Sequence, residues 1–284
     1  MNANAALLAA VLLMTSACRT AHPDAPTVAR ASAACELPAT PEAVITVAKN
    51  PYPGELHEVF EVADGPEWWA PAPMDEERTR YRDALAARLG EQGLGHRALL
   101  ERIHAMHAAM VGKPMQRETE NVSRVLDGSA GKVGVISCLE WRLFQWQSRR
   151  YPMLEHPTEF GAYVLRGQGR IRIYLSGADR AGGSLRHEVR ERVATDVARG
   201  FALVAHVHNH NFMFDRKVGD RMWTTPETVK DIGGGVAPSL TDVQAYRAMR
   251  ESLKLQGAWV TNGLETGRYT SEDFDRMSAW EPTQ

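Results

Sequence analysis

The chain has 284 residues, 44% of them hydrophobic and 24% charged, with a formal net charge of -2 at pH 7. That is the composition of an ordinary globular protein with enough apolar material for a sizeable core. No long basic run appears, so composition speaks against nucleic acid as a partner.

Residues 5–14 form an apolar run, followed by Thr15, Ser16, Ala17 and Cys18. The run is shorter than the roughly 20 apolar residues a spanning helix needs, and it reads as a secretory signal occupying 1–18. Thr15-Ser16-Ala17-Cys18 resembles a bacterial lipobox, in which Cys18 becomes a lipidated first residue; the alternative is a simple cleaved signal. Either way the expected location is outside the cytoplasm: the periplasm, the outer membrane as a lipoprotein, or the medium. Membrane contact is then expected only through a lipid at Cys18. Residues 19–41, rich in Ala, Pro and Thr, read as a flexible tether. Of the remaining cysteines, Cys35 and Cys138, an oxidising compartment permits a disulfide, which the sequence leaves open.

Residues 42–132 read as a mostly helical region. A short candidate strand, Ala43-Val44-Ile45-Thr46-Val47, and a Trp68-Trp69 pair suited to burial come first. Two helices are predicted across 75–112. Tyr81, Leu85 and Leu89 recur every four residues, and Leu99, Ile103, Met106 and Met110 recur at three and four. Gly90, Gly93 and Gly95 break them. His104 and His107 lie one helical turn apart with no third ligand nearby, and read as ordinary helix residues.

A further helix is predicted over 136–150, with Ile136, Leu139, Leu143 and Trp146 on one face, ending before Pro152. Strands at 161–165 and 170–175 flank the turn Gly167-Gln168-Gly169. A helix over 185–198, an apolar strand over 201–207, a helix over 241–255 capped by Ser239 or Thr241, and a last strand at 258–261 follow. Helix and strand alternate, so the fold class is mixed α/β. His187-Glu188-Val189-Arg190-Glu191 begins like a zinc helix, but Glu191 stands where the second histidine belongs, and an exposed charged helix accounts for it.

The chemistry-bearing residues fall in this half. The 201–207 strand runs into His206, His208 and His210, and alternation places them on one strand face. A catalytic zinc takes three protein ligands and keeps one position for water. Two histidines supply two ligands, and a carboxylate is the natural third. Ser239-Leu240-Thr241-Asp242 offers one at a helix start, with serine and aspartate in the same turn. The frame can fall on His206 and His208 or on His208 and His210. Asp215 and Asp220 are alternative carboxylates.

This order, with Pro157-Thr158-Glu159 at the start of an earlier strand, resembles the JAMM (JAB/MPN+) metallopeptidases. Their signature is a distant glutamate, then His-x-His-Pro, then Ser-x-x-Asp. The resemblance covers residues 133–270 and implies a JAB/MPN-like (cytidine-deaminase-like) metal-binding domain over 133–284, with an N-terminal helical extension. It implies Zn2+ on His208, His210 and Asp242, Glu159 as general acid/base, and Ser239 helping to hold an oxyanion. Glu140, on the preceding helix, is the reserve candidate base. A peptide or protein substrate is implied, cleaved at a peptide or isopeptide bond. The alternative is a non-catalytic binding or scaffold protein of the cell envelope. Asn211 stands where the family has proline, and 212–237 separates the histidines from Ser239 where the family has a short loop. That insertion carries Phe212, Met213, Phe214, Met222 and Trp223, and reads equally as a lid over the cleft or a surface excursion. Gly233-Gly234-Gly235 is a candidate hinge.

Overall fold

The computed structural model describes residues 35–49, 51–109, 113–180, 186–212 and 233–281. The predicted signal and Cys18, most of the tether, Met110, and Met213, Phe214, Asp215, Asp220, Met222 and Trp223 of the insertion lie outside the described residues. No helix among the described residues is long and apolar enough to cross a membrane.

The elements, in chain order, are β1 (Ala43–Val44), β2 (Leu56–Ala63), α1 (Glu76–Leu89), α2 (His96–Ala108), α3 (Lys113–Leu126), β3 (Lys132–Val135), α4 (Cys138–Arg150), β4 (Phe160–Gly167), β5 (Arg170–Gly177), α5 (His187–Ala198), β6 (Ala202–Asn209), α6 (Leu240–Leu253), β7 (Gly257–Thr261), β8 (Glu265–Thr270) and α7 (Asp273–Arg276). The fold is mixed α/β, built on an eight-stranded sheet ordered β1-β2-β5-β4-β6-β7-β8-β3. Among the described strands only β6 and β7 pair in parallel, and α6 lies in the connection between them.

The central strands are apolar on both faces because both are covered. On one face, Tyr163, Leu165, Tyr174 and Leu203 pack with Val189 and Val193 of α5 and with Val243, Tyr246 and Met249 of α6. On the other, Ala162, Val164, Ile173 and Val207 pack with Leu139, Leu143 and Phe144 of α4. His206, His208 and His210 belong to the first face, under α6.

Several elements depart from the sequence reading. β2 lacks a clear strand pattern, because Glu58 and Glu61 interrupt its apolar residues, yet it pairs along its full length with β5. α3 lacks a clear apolar helix stripe because its inward face is half polar: Glu118 and Asn121 are buried beside Val122 and Val125. Those polar groups are used. Glu118 Oε1 accepts the Leu240 N–H at 3.0 Å, seating the first turn of α6, and Asn121 bonds both ways with Ser278. β8 follows β7 as a further strand, and β3 pairs with it at the sheet edge. Residues 42–132 therefore share the sheet and its core with the rest of the chain. Trp68 is buried, whereas Trp69 is half-buried, edge-on to Trp259.

Cys35 and Cys138 form a disulfide with Cα atoms 6.4 Å apart, tying the first described residue to the start of α4. His187 and Glu191 form an exposed ion pair at 3.1 Å, as an ordinary surface helix would. His104 Nε2 meets Ser123 Oγ at 3.0 Å, a contact between α2 and α3.

Candidate metal centre

α6 begins with a reciprocal cap. Ser239 Oγ accepts the Asp242 N–H at 3.2 Å, and Asp242 Oδ2 accepts the Ser239 N–H at 2.9 Å. This capping box fixes the first turn and aims Asp242 at the end of β6. Ser239 Oγ also donates to Asp242 Oδ2 at 2.8 Å and meets Thr241 Oγ1 at 2.8 Å. The hydroxyl expected to face an oxyanion is thus engaged with the carboxylate it helps position.

Three donor atoms converge at the end of β6. His208 Nε2 and His210 Nε2 are 3.3 Å apart, and Asp242 Oδ2 lies 3.4 Å from the first and 3.3 Å from the second. Among the described residues this is the group of His, Cys, Asp and Glu side chains that can hold a metal ion. Its two rings are buried and its carboxylate is partly exposed.

The surroundings set the imidazole tautomers. His210 Nδ1 stands 2.9 Å from the Gly235 carbonyl, which only accepts, so Nδ1 carries the proton and Nε2 presents its lone pair. His208 Nδ1 stands 3.2 Å from the Tyr246 hydroxyl, which holds the ring's orientation and can accept its Nδ1 proton or donate to the bare nitrogen. Two ring nitrogens and a carboxylate oxygen aimed at one point are a donor set that can hold a metal ion. When both imidazoles are protonated, their charges and their Nε2 hydrogen bonds to Asp242 outweigh the burial that would raise its carboxyl and hold it well below its ordinary value; a metal ion would take the place of those protons.

Gly235 reaches His210 because the glycine run is tightly packed. Gly234 has φ +70, and a Cβ there would run into the Phe212 ring; a Cβ on Gly235 would stand 2.6 Å from Ile103 Cγ1. Gly234 N donates to Asn211 O, and Phe212 and Gly233 form an isolated antiparallel bridge. The run expected as a hinge is a close-packed support for His210.

Glu159 precedes β4. Gly161 pairs with His208, so the register carried two residues further sets Glu159 opposite His210. Its carboxyl is buried and pushed above its ordinary value by desolvation; His210, His208 and Arg180 pull it down and Asp242 pushes it up. The charges of all three residues of the group therefore act on it. The backbone around it is clamped by the two asparagines that alternate with the histidines. Asn209 Nδ2 and Asn211 Nδ2 donate to the Thr158 carbonyl at 3.1 and 2.7 Å, and Asn209 Oδ1 accepts the Phe160 N–H at 2.8 Å. Alternation explains the pattern: histidines face the metal group, and asparagines hold the glutamate segment. A proline at 211 would have no side-chain amide to make this bond.

His206 stays out of the group. Its ring packs against Tyr163, His208 and Tyr246 at centroid distances of 5.4, 5.6 and 5.9 Å, and neither nitrogen has a hydrogen-bond partner. Burial lowers it to about 3, so it is neutral. Glu140 is on α4, across the sheet, where it caps Ser137 and pairs with Arg268 at 2.6 Å. Tyr246 was not singled out from sequence; its signal is its position four residues after Asp242, on the same face of the helix.

One other constellation has catalytic composition. His57 lies between Ser176 Oγ, 2.8 Å from Nδ1, and Glu55 Oε1, 3.0 Å from Nε2. Ser176 is 0% and His57 2% exposed, so no substrate reaches the hydroxyl. The line clasps β2 to β5.

No family model matches the chain, and neither a curated protein nor a solved structure matches it.

Proposed function

We propose that the chain is a zinc hydrolase of the JAMM (JAB/MPN+) kind, acting on peptide or isopeptide bonds outside the cytoplasm. The observation that carries the reading is the near-equilateral triangle of His208 Nε2, His210 Nε2 and Asp242 Oδ2, with sides of 3.3 to 3.4 Å. Tetrahedral angles on bonds of about 2.0–2.1 Å separate neighbouring donors by about 3.3–3.4 Å. The donor set, two imidazoles and a carboxylate, is that of catalytic zinc sites and too nitrogen-rich for calcium or magnesium.

When bound, zinc supplies Lewis acidity and lowers the pKa of a water toward about 7. Glu159 does the proton work. Its buried, raised carboxyl, opposite His210, takes a proton from the attacking water and returns it to the leaving amine. Asn209 and Asn211 hold Thr158 and Phe160 and thereby fix that carboxyl at its post. Ser239 orients Asp242 in this reading, since its hydroxyl is given to that carboxylate.

The chain order supports the JAB/MPN-like assignment: helix α4, the glutamate before β4, the histidines ending β6, and Ser-x-x-Asp opening α6. The Cys35–Cys138 disulfide supports export, since such bonds persist in oxidising compartments. A Glu159→Gln variant tests the activity. Hydrolysis of peptide or isopeptide substrates should fall by about 10²- to 10⁴-fold while metal stoichiometry is kept. Undiminished hydrolysis in the variant, or none in the metal-loaded parent, would remove the proposal.

A further inference from the structure

The sheet end that carries the metal group also carries a cationic rim. β4 begins there and β5 ends there, and the turn leading into β2 arrives there, because Phe160 and Leu56 both pair with Gly177. Two arginines stand on this rim, each with its guanidinium carbon 4.2 Å from the centroid of the Tyr52 ring. Arg186 is neutralised: Nε and one terminal nitrogen donate to Glu55 Oε1 and Oε2 at 2.6 and 2.7 Å.

Arg180 is different. It makes no ion pair among the described residues, and its buried Nε has no hydrogen-bond partner. Its carbonyl accepts the Glu159 N–H at 2.9 Å, so its backbone is one hydrogen bond from the acid/base residue. Its charge also acts on the Glu159 carboxyl. A guanidinium laid on an aromatic face is held in place without being neutralised. A fixed, partly exposed cation that pairs with no acid among the described residues, next to a reaction centre, matches a carboxylate, whose oxygens fit the guanidinium fork.

We infer that Arg180 binds a substrate carboxylate, so that the hydrolase acts on peptides or amide conjugates carrying a free carboxylate close to the scissile bond. The substrate half of this inference rests on the proposed activity; the anion site rests on the geometry of Arg180, Tyr52 and Glu159.

Two measurements on the metal-loaded full chain separate them. In the first, N-acetyl-alanyl-alanine and its C-terminal amide are titrated by ligand-observed NMR into the parent and into Arg180→Gln. The free acid should bind about ten-fold tighter than the amide in the parent, with equal affinities in a variant whose thermal stability is unchanged. Equal affinities in the parent, or a preference that survives in the variant, overturn the inference. In the second, randomised heptapeptides with free and amidated C-termini are compared by mass spectrometry. Faster cleavage of the free-carboxylate set, lost in Arg180→Gln, is the expected result. Cleavage of both sets at equal rates upholds the activity and overturns the carboxylate site. Cleavage of neither set counts against the proposed activity, and the binding result then decides the anion site by itself.

Discussion

The phenol oxygen of Tyr246 stands 3.2 Å from Nδ1 of His208, on the side of the ring away from the metal group. Tyr246 and Asp242 are four residues apart on α6, so one helix face supplies both the carboxylate of the group and the hydroxyl that orients its first histidine. A partner behind a ligating imidazole fixes its tautomer and rotation, and its loss costs about 10- to 100-fold in metal affinity. Tyr246→Phe should therefore retain the fold and lose about that much affinity for zinc in a chelator competition. Parent-like affinity would show that the hydroxyl contributes nothing to the site.

Asn211 predicts a different separation. Its Nδ2 donates to Thr158 O at 2.7 Å, beside Glu159, and it touches none of the three metal ligands through that bond. Asn211→Ala removes a buried hydrogen bond of roughly 1–3 kcal/mol and loosens the glutamate segment. Metal content should stay at the parent level while kcat falls. Loss of metal together with kcat would mean that Asn211 supports the histidines instead.

The elements that carry the site were the legible ones. The apolar strand running into His208 and His210 and the Ser239-to-Asp242 cap follow from period-two alternation and capping chemistry, both written in adjacent residues. What sequence could not give was whatever depends on distant partners. Glu58 and Glu61 break the apolar pattern of β2, whose Val59 and Phe60 are buried in the cores on the two sheet faces once it pairs with β5. Glu118 and Asn121 made α3 look like a surface segment, although both are consumed by backbone groups more than a hundred residues away. The frame of the histidines was ambiguous for the same reason. His206 shares their strand face, and only the position of α6 decides that Asp242 meets His208 and His210.

Glu265 predicts a pH dependence of stability. Burial pushes its carboxyl from 4.5 up to about 8, with an Asn262 hydrogen bond pulling the other way, and Oε1 has no partner. The exposed His96 ring, 3.9 Å away, is too well solvated to offset this. Between those two values the folded chain keeps a proton that the unfolded chain has released. Stability therefore falls as pH rises through that window and levels off above it. Glu265→Gln should match the parent at about pH 5 and exceed it by on the order of a few kcal/mol at about pH 9, read by denaturant unfolding. A difference that does not change with pH would contradict the buried-acid account.

The most direct test of the central claim is the zinc content of the purified protein, measured beside His208→Ala and Asp242→Ala. The account predicts one equivalent of zinc in the parent and its loss in both variants, with all three proteins folded, since each variant removes one corner of the triangle. A well-folded parent that takes up no zinc after supplementation, or variants that keep it, would contradict the account.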